Sequence, residues 1–347
     1  MKTLKNLKLI ASAVMFALTS MAFAQSVSID KVSKVYSNVQ EIEVESLFAS
    51  VEIIGSDRTD VEFTGEIFGT SASKDVKIKH SQSGTKLTIE VDDETFLKWG
   101  DYKGALKLLV PKNINLDIES GSGQINVTNV NDKDGDFSSG SGSIKATDYS
   151  GNGDFETGSG SISLLNITAN AECNSGSGSI YVENSNGELD LETASGSIDA
   201  IKIIGKISAS TASGSVAVSD VSSLTATAKI GVVSGNIKLK NFRGDVDASS
   251  VSGSINVDAL TGRLRLSSVS GSIDGRGVNL TSSSNFTTVS GSIDIDLENP
   301  TDALTFELSS VSGSLRANDS KASGELIIRK GAIVVKGETV SGSQEYK

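Results

Sequence analysis

Proline is almost missing from this chain of 347 residues, with two copies, and cysteine, tryptophan and histidine occur once each. Aromatic residues make up 5% of the chain, whereas glycine contributes 35 residues. So few large side chains cannot fill a wide globular interior, and a thin core of small residues is implied. The single cysteine, Cys173, excludes an internal disulfide, and its position far from the start excludes a lipid on an N-terminal cysteine. Stability must therefore come from packing and backbone pairing.

Long apolar runs are scarce as well. One stretch, Leu9 to Leu18, follows Lys2, Lys5 and Lys8 and precedes Ala22-Phe23-Ala24. That order of basic end, apolar stretch and small-residue cleavage site predicts a signal peptide over 1–24. No later run is long enough to span a membrane as a helix. The expected product is exported, to the periplasm, the cell surface or the medium. Removal of three lysines takes the formal net charge from −12 to −15. Such acidity argues against nucleic acid, which needs clustered Lys and Arg. Cationic peptides, surface glycans and proteins remain as classes of partner, and the oligomeric state stays open.

What the chain does have is a repeat. The glycine that precedes a Ser-Ile step or its variant falls at Gly123, Gly142, Gly160, Gly178, Gly196, Gly214, Gly235, Gly253, Gly271, Gly291, Gly313 and Gly342. The first eight intervals are 19, 18, 18, 18, 18, 21, 18 and 18 residues, followed by 20, 22 and 29. Within a unit the side chains alternate: Ala146, Leu164, Val182 and Ala200 occupy an apolar column, and Lys145, Ser163, Tyr181 and Asp199 lie between it and the motif. A second apolar column holds Phe137, Phe155, Cys173 and Leu191. A period of two with one apolar face marks half-buried strands.

Eighteen residues cannot make a core alone, so the units must stack as coils whose equivalent strands pair in parallel. The predicted fold is all-β: a parallel β-solenoid with coils of about 18–22 residues over 111–347, right-handed by the crossover rule. Residues 25–110 lack the motif but alternate strongly, and they predict an N-terminal β-strand region that covers the open edge. GELIIRKGAIVVKGETV (324–340) is a candidate cover for the other end. The motif serines are expected to hydrogen-bond one another and the turn backbone, with glycine in a conformation unfavourable for other residues. The residue two before the motif glycine changes from Gly121, Gly140, Gly158 and Gly176 through Ala194 and Ala212 to Val233, Val251, Val269, Val289, Val311 and Val340. If that position faces the core, the coil should change cross-section or curvature between 194 and 233.

An exported chain with short N-terminal strands, LKLLVPKN at 106–113 and many SGSI-type coils resembles the bacterial putative-adhesin family of unknown function. It is also similar to the head-domain family of putative autotransporter adhesins. The resemblance spans the mature chain and implies a β-solenoid in the cell envelope, with no catalytic residues to carry over.

Catalytic and metal chemistry find little footing. A serine nucleophile needs a base, and His80 stands outside the motif coils. NDKDGDF (131–137) lacks the outer ligands of a calcium loop, and no calcium-roll turn occurs. No cofactor or metal is expected, and the chain reads as a non-enzyme. Among outward residues, Asp274 and Asp294 fall on consecutive coils, the arrangement that a polysaccharide-active β-helix would require. Phe96, Trp99 and Tyr102 in DDETFLKWGDYKGA (92–105) are the candidate ligand-binding residues, since aromatics on a loop can stack on sugars or peptides. Equally, they could pack over the first coil. The expected function is a non-catalytic adhesin or scaffold module of the envelope. The alternatives are an envelope-stress sensor that binds cationic peptides and, third, a polysaccharide-active enzyme.

Overall fold

The computed structural model describes residues 27–69, 76–93, 102–168, 170–223 and 226–347. The segment read as a signal peptide lies outside them, as do Phe96 and Trp99. Among the described residues there are strands and turns and no helix, joined in one long, mostly parallel stack. Equivalent positions of the inward column pair coil on coil: Ile144 with Ile162, Ile162 with Ile180, and Ile180 with Ile198. A one-residue slip would turn every apolar side chain outward, so the inward columns fix this register.

Both apolar columns are buried as the alternation requires. Phe137 and Phe155 stack at 5.1 Å between ring centroids, with Tyr149 edge-on to both. Cys173 continues their column between Phe155 and Leu191, fully buried, and burial pushes its thiol pKa up. It behaves as a small core hydrophobe.

Each coil bends within its downstream strand at one residue in the left-handed region. Asp148, Asn166, Asn184, Lys202, Asp220, Asn241 and Ala259 occupy it in successive coils. Asn and Asp tolerate that conformation because their side chains hydrogen-bond locally. Here they bond along the stack: Asn166 Nδ2 donates to Asp148 Oδ1 at 2.8 Å, and Asn184 Nδ2 to Asn166 Oδ1 at 2.9 Å.

The motif corner departs from expectation in part. Most of its glycines are required by close approach, and of the twelve only Gly235, at φ 152°, and Gly342, at φ 158°, have a positive φ. A Cβ on Gly160 would lie 2.0 Å from the carbonyl oxygen of Gly142 in the coil beneath. The serines that follow the glycine do bond from coil to coil, Ser161 N donating to Ser143 Oγ and Ser197 N to Ser179 Oγ at 3.3 Å, and a hydroxyl three residues before the glycine adds a second tie. Thr157 Oγ1 accepts from Gly160 N at 3.0 Å and donates to Gly142 O at 3.0 Å, which bridges two coils. Ser139, Ser175 and Thr193 do the same in their coils.

The graded column also needs correction. Gly158, Ala194 and Val233 and their equivalents face solvent, not core, with Val233 54% exposed and Val311 82% exposed. The interval from 194 to 233 nonetheless marks a change, in the corner itself. Earlier upstream strands stop at the tying hydroxyl, as Ala171–Ser175 and Ile180–Thr193 do. From Ile198–Ser213 onward most run on to the serine before the glycine, as Thr227–Ser234 and Asp245–Ser252 show.

Chain order and spatial order part company at both ends. Glu41–Ser46 pairs in parallel with Asn115–Ser120 on one side and with Lys86–Asp93 on the other. The coil of 41–56 is thus sandwiched between later segments. At the far end Ile333–Ser341 inserts between Ser284–Ser290 and Leu304–Ala317, so the last coil in sequence is not the outermost. Antiparallel strands lie beyond the parallel coils: Val27–Ser37 and Val76–Ser83 at one end, Ser320–Ile328 at the other. At the far end, then, the edge position within 324–340 belongs to Ser320–Ile328, and the remainder is interior. Lys31, Lys34, Lys77 and Lys79 stud the first edge, which discourages strand addition there.

Candidate functional site

Register turns the outward residues of each strand into columns that run along the stack. On the upstream strands one column reads Glu43, Asp117, Asp136, Asp154, Glu172, Asp190, each directly beside the next. Adjacent strands lie about 4.8 Å apart, so these carboxylates repel one another. Burial raises the Asp154 pKa, and Glu172, Asp136 and Glu156 push it further the same way. Asp117 is raised by burial and then by Asp136 and Glu43. The neighbouring column adds Glu45, Glu119, Glu156 and Glu192. A shallow trough of ≈ 460 Å³ lies over Asp134, Asp136, Asp154, Glu172, Glu188 and Asp190. The column was legible: every one of its members from Asp117 to Asp190 stands six residues before a motif glycine. Attention to the apolar columns alone hides it.

A second trough, ≈ 750 Å³, crosses the downstream strands near the far end. It joins Asp274 and Asp294, which pair directly, to Lys238, Lys240, Arg276 and Lys347. Burial raises the Asp274 pKa, with Asp294 adding to it. Lys347 Nζ holds Asp294 Oδ1 at 3.2 Å and Oδ2 at 3.4 Å. This mixed surface suits a ligand that carries both charge and hydroxyl groups.

Of the aromatic candidates, Tyr102 alone is described. Its ring stacks against Phe48 at 5.8 Å between centroids, and both pack on the core. Phe96 and Trp99 lie outside the described residues. His80 is engaged elsewhere: its Nδ1 is 2.7 Å from Tyr36 Oη, with Phe63 edge-on to the ring. Burial lowers its pKa. No described hydrogen bond joins it to a motif serine. Among the described residues, no group of three or more His, Cys, Asp or Glu side chains is arranged to hold a metal ion. No described helix is long and apolar enough to cross a membrane.

One buried acid stands apart from these surfaces. Asp132 is fully buried, its Oδ2 accepts from Leu116 N at 3.0 Å, and its Oδ1 has no partner. Burial raises its pKa from 3.8 to about 6.

Solved structures that match this one include a putative cell adhesion protein from Clostridium sporogenes, at 9% identity and a TM-score of 0.24, covering 93% of this chain and 99% of that one. A putative adhesin from Bacteroides fragilis is 12% identical with a TM-score of 0.33, covering 91% and 97%. A putative lipid binding protein from Parabacteroides distasonis is 15% identical with a TM-score of 0.26, covering 92% and 97%. No curated protein matches the sequence. The family described as Toastrack DUF4097 matches residues 39–249 and 244–342, and the chain therefore belongs to that family.

Proposed function

We propose that this protein is a non-catalytic binding module of the cell envelope, an adhesin or scaffold whose long sheet faces are its contact surfaces. The observation that carries the reading is the unbroken outward column from Glu43 to Asp190. Core packing does not require acids there, and their mutual repulsion costs stability, so a contact outside the molecule accounts for them best. Repetition suits a partner that is itself extended, because each coil offers the same group again about 4.8 Å further on.

The same column favours a cationic partner, a peptide above all, which brings the sensor reading close behind the adhesin one. Binding to glycans, matrix proteins, envelope fragments and cationic peptides should be measured with the chain from residue 25 onward. Retention of a cationic peptide that weakens with salt, and is lost in Asp154→Asn/Glu172→Gln, supports the acidic face. Turnover of a polysaccharide with no binding in the screen overturns the non-catalytic reading. Cell fractionation with added protease separates a surface adhesin from a periplasmic sensor.

A further inference from the structure

In the far half of the stack the upstream strands present a different face. Val233, Val251, Val269, Val289, Val340 and Val311 form one outward column, in that spatial order, because the last coil inserts before Val311. All six are exposed. The next outward column is short and mostly uncharged: Gly231, Ser249, Ser267, Thr287, Glu338 and Ser309. The one beyond it reads Lys229, Asp247, Arg265, Asn285, Lys336, Glu307. Core packing explains none of this, since the same corner is built from glycine and alanine at Gly158, Gly176 and Ala194.

We infer that this face binds a second copy of the chain, with the two stacks antiparallel and the valine columns in contact. A two-fold axis along the strand direction sets each column against its own reverse. The charged column is complementary to its reverse: Lys229 meets the second copy's Glu307, Asp247 meets its Lys336, and Arg265 meets its Asn285. No described ion pair engages Lys229, Asp247, Arg265 or Glu307, while Lys336 is held at 2.7 Å by Glu338 on its own strand. A parallel arrangement sets each valine against its own counterpart and does not bring Lys229 to Glu307.

The size is adequate. Six exposed valines at one-coil intervals offer on the order of 500 Å², which is the scale of apolar patch that marks an interaction site. With the flanking columns, each copy approaches the roughly 800 Å² per partner of a standard interface. The regular spacing also selects the occupant, because a second copy presents apolar groups at the same interval along a straight line. This face continues the acidic one past Ser208, but it shares no residue with the stretch from Glu43 to Asp190, so Asp154→Asn/Glu172→Gln tests the proposed function and leaves the valine contact in place.

The test is the mass of the chain from residue 25 onward in solution, by sedimentation or light scattering over a concentration series, with thermal melting alongside. The expected result is a dimer that Val269→Asp converts to monomer, with a melting temperature equal to that of the wild-type chain diluted until it is monomeric. Glu307→Lys should weaken dimerisation at least tenfold, and Lys229→Glu/Glu307→Lys should restore it. A wild-type chain that stays monomeric into the hundred-micromolar range overturns the inference. So does a dimer indifferent to Val269→Asp, or one that the double charge swap fails to rescue.

Discussion

The two halves of the stack solve one corner in two ways. In the coils of Gly123 to Gly196 a hydroxyl grips the motif glycine's N–H and the strand ends there, leaving glycine or alanine on the outside. In the later coils the strand mostly continues to the serine before the glycine, and valine stands outward. The first solution accompanies an unbroken acidic column, the second a column of mixed sign beside an apolar one. Identical inward packing thus supports two unlike surfaces, so function can vary along the rod without disturbing its core.

Moving the valine corner into the glycine half should break this contrast most severely. A Cβ at Gly158 would sit 2.5 Å from Gly140 O, so Gly158→Val should cost several kcal/mol, the range of overpacked or strained sites. Val251→Gly, the reverse exchange on an exposed strand end, should cost only about 1 kcal/mol. Thermal or denaturant unfolding measures both.

Asp132 gives the next largest effect. Its carboxyl titrates at about 6 in the fold against 3.8 as the ordinary value, so the folded state holds its proton to higher pH. The stability it withholds grows as pH rises from about 4 to 6 and is constant above, at about 3 kcal/mol. Asp132→Asn should therefore raise the melting temperature at pH 7 and change it little at pH 4. Equal effects at both values would place the cost elsewhere.

Thr157→Val removes the hydroxyl that bridges Gly142 O and Gly160 N. Two buried backbone groups lose their partner, and a loss of about 1–3 kcal/mol is expected in denaturant titration. The far half already carries Val232 in this column, so Val232→Thr should change stability less. The smallest effect belongs to the opposite corner. Ala259 sits at φ 54° where most other coils use Asn or Asp, and Ala259→Asn should stabilise by about 1 kcal/mol.

Some of this was legible in the sequence for physical reasons that can be named. Alternation of apolar and polar residues at an 18-residue period leaves one register that buries Phe155, Cys173 and Leu191 together, so strands, coils and inward columns could be read directly. The acidic column was readable by the same alignment at another offset. Thr157 opens the stretch TGSGSISL (157–164), yet sequence spacing does not tell which of several hydroxyls faces a neighbouring coil's carbonyl. Whether Gly158 or Val233 points in or out was equally hidden, because a corner interrupts the alternation that assigns sides.

The sequence by itself determined the coil, its period, its inward columns and the chemical character of each outward column, since all of these follow from side chains within one repeat. Tertiary structure alone decided which coil lies on which. Coils with interchangeable inward residues can stack in more than one order, and the sandwiching of 41–56 and of 333–346 depends on how the chain turns back at each end. That choice placed Val340 between Val289 and Val311, and with it the order of charges from Lys229 to Glu307.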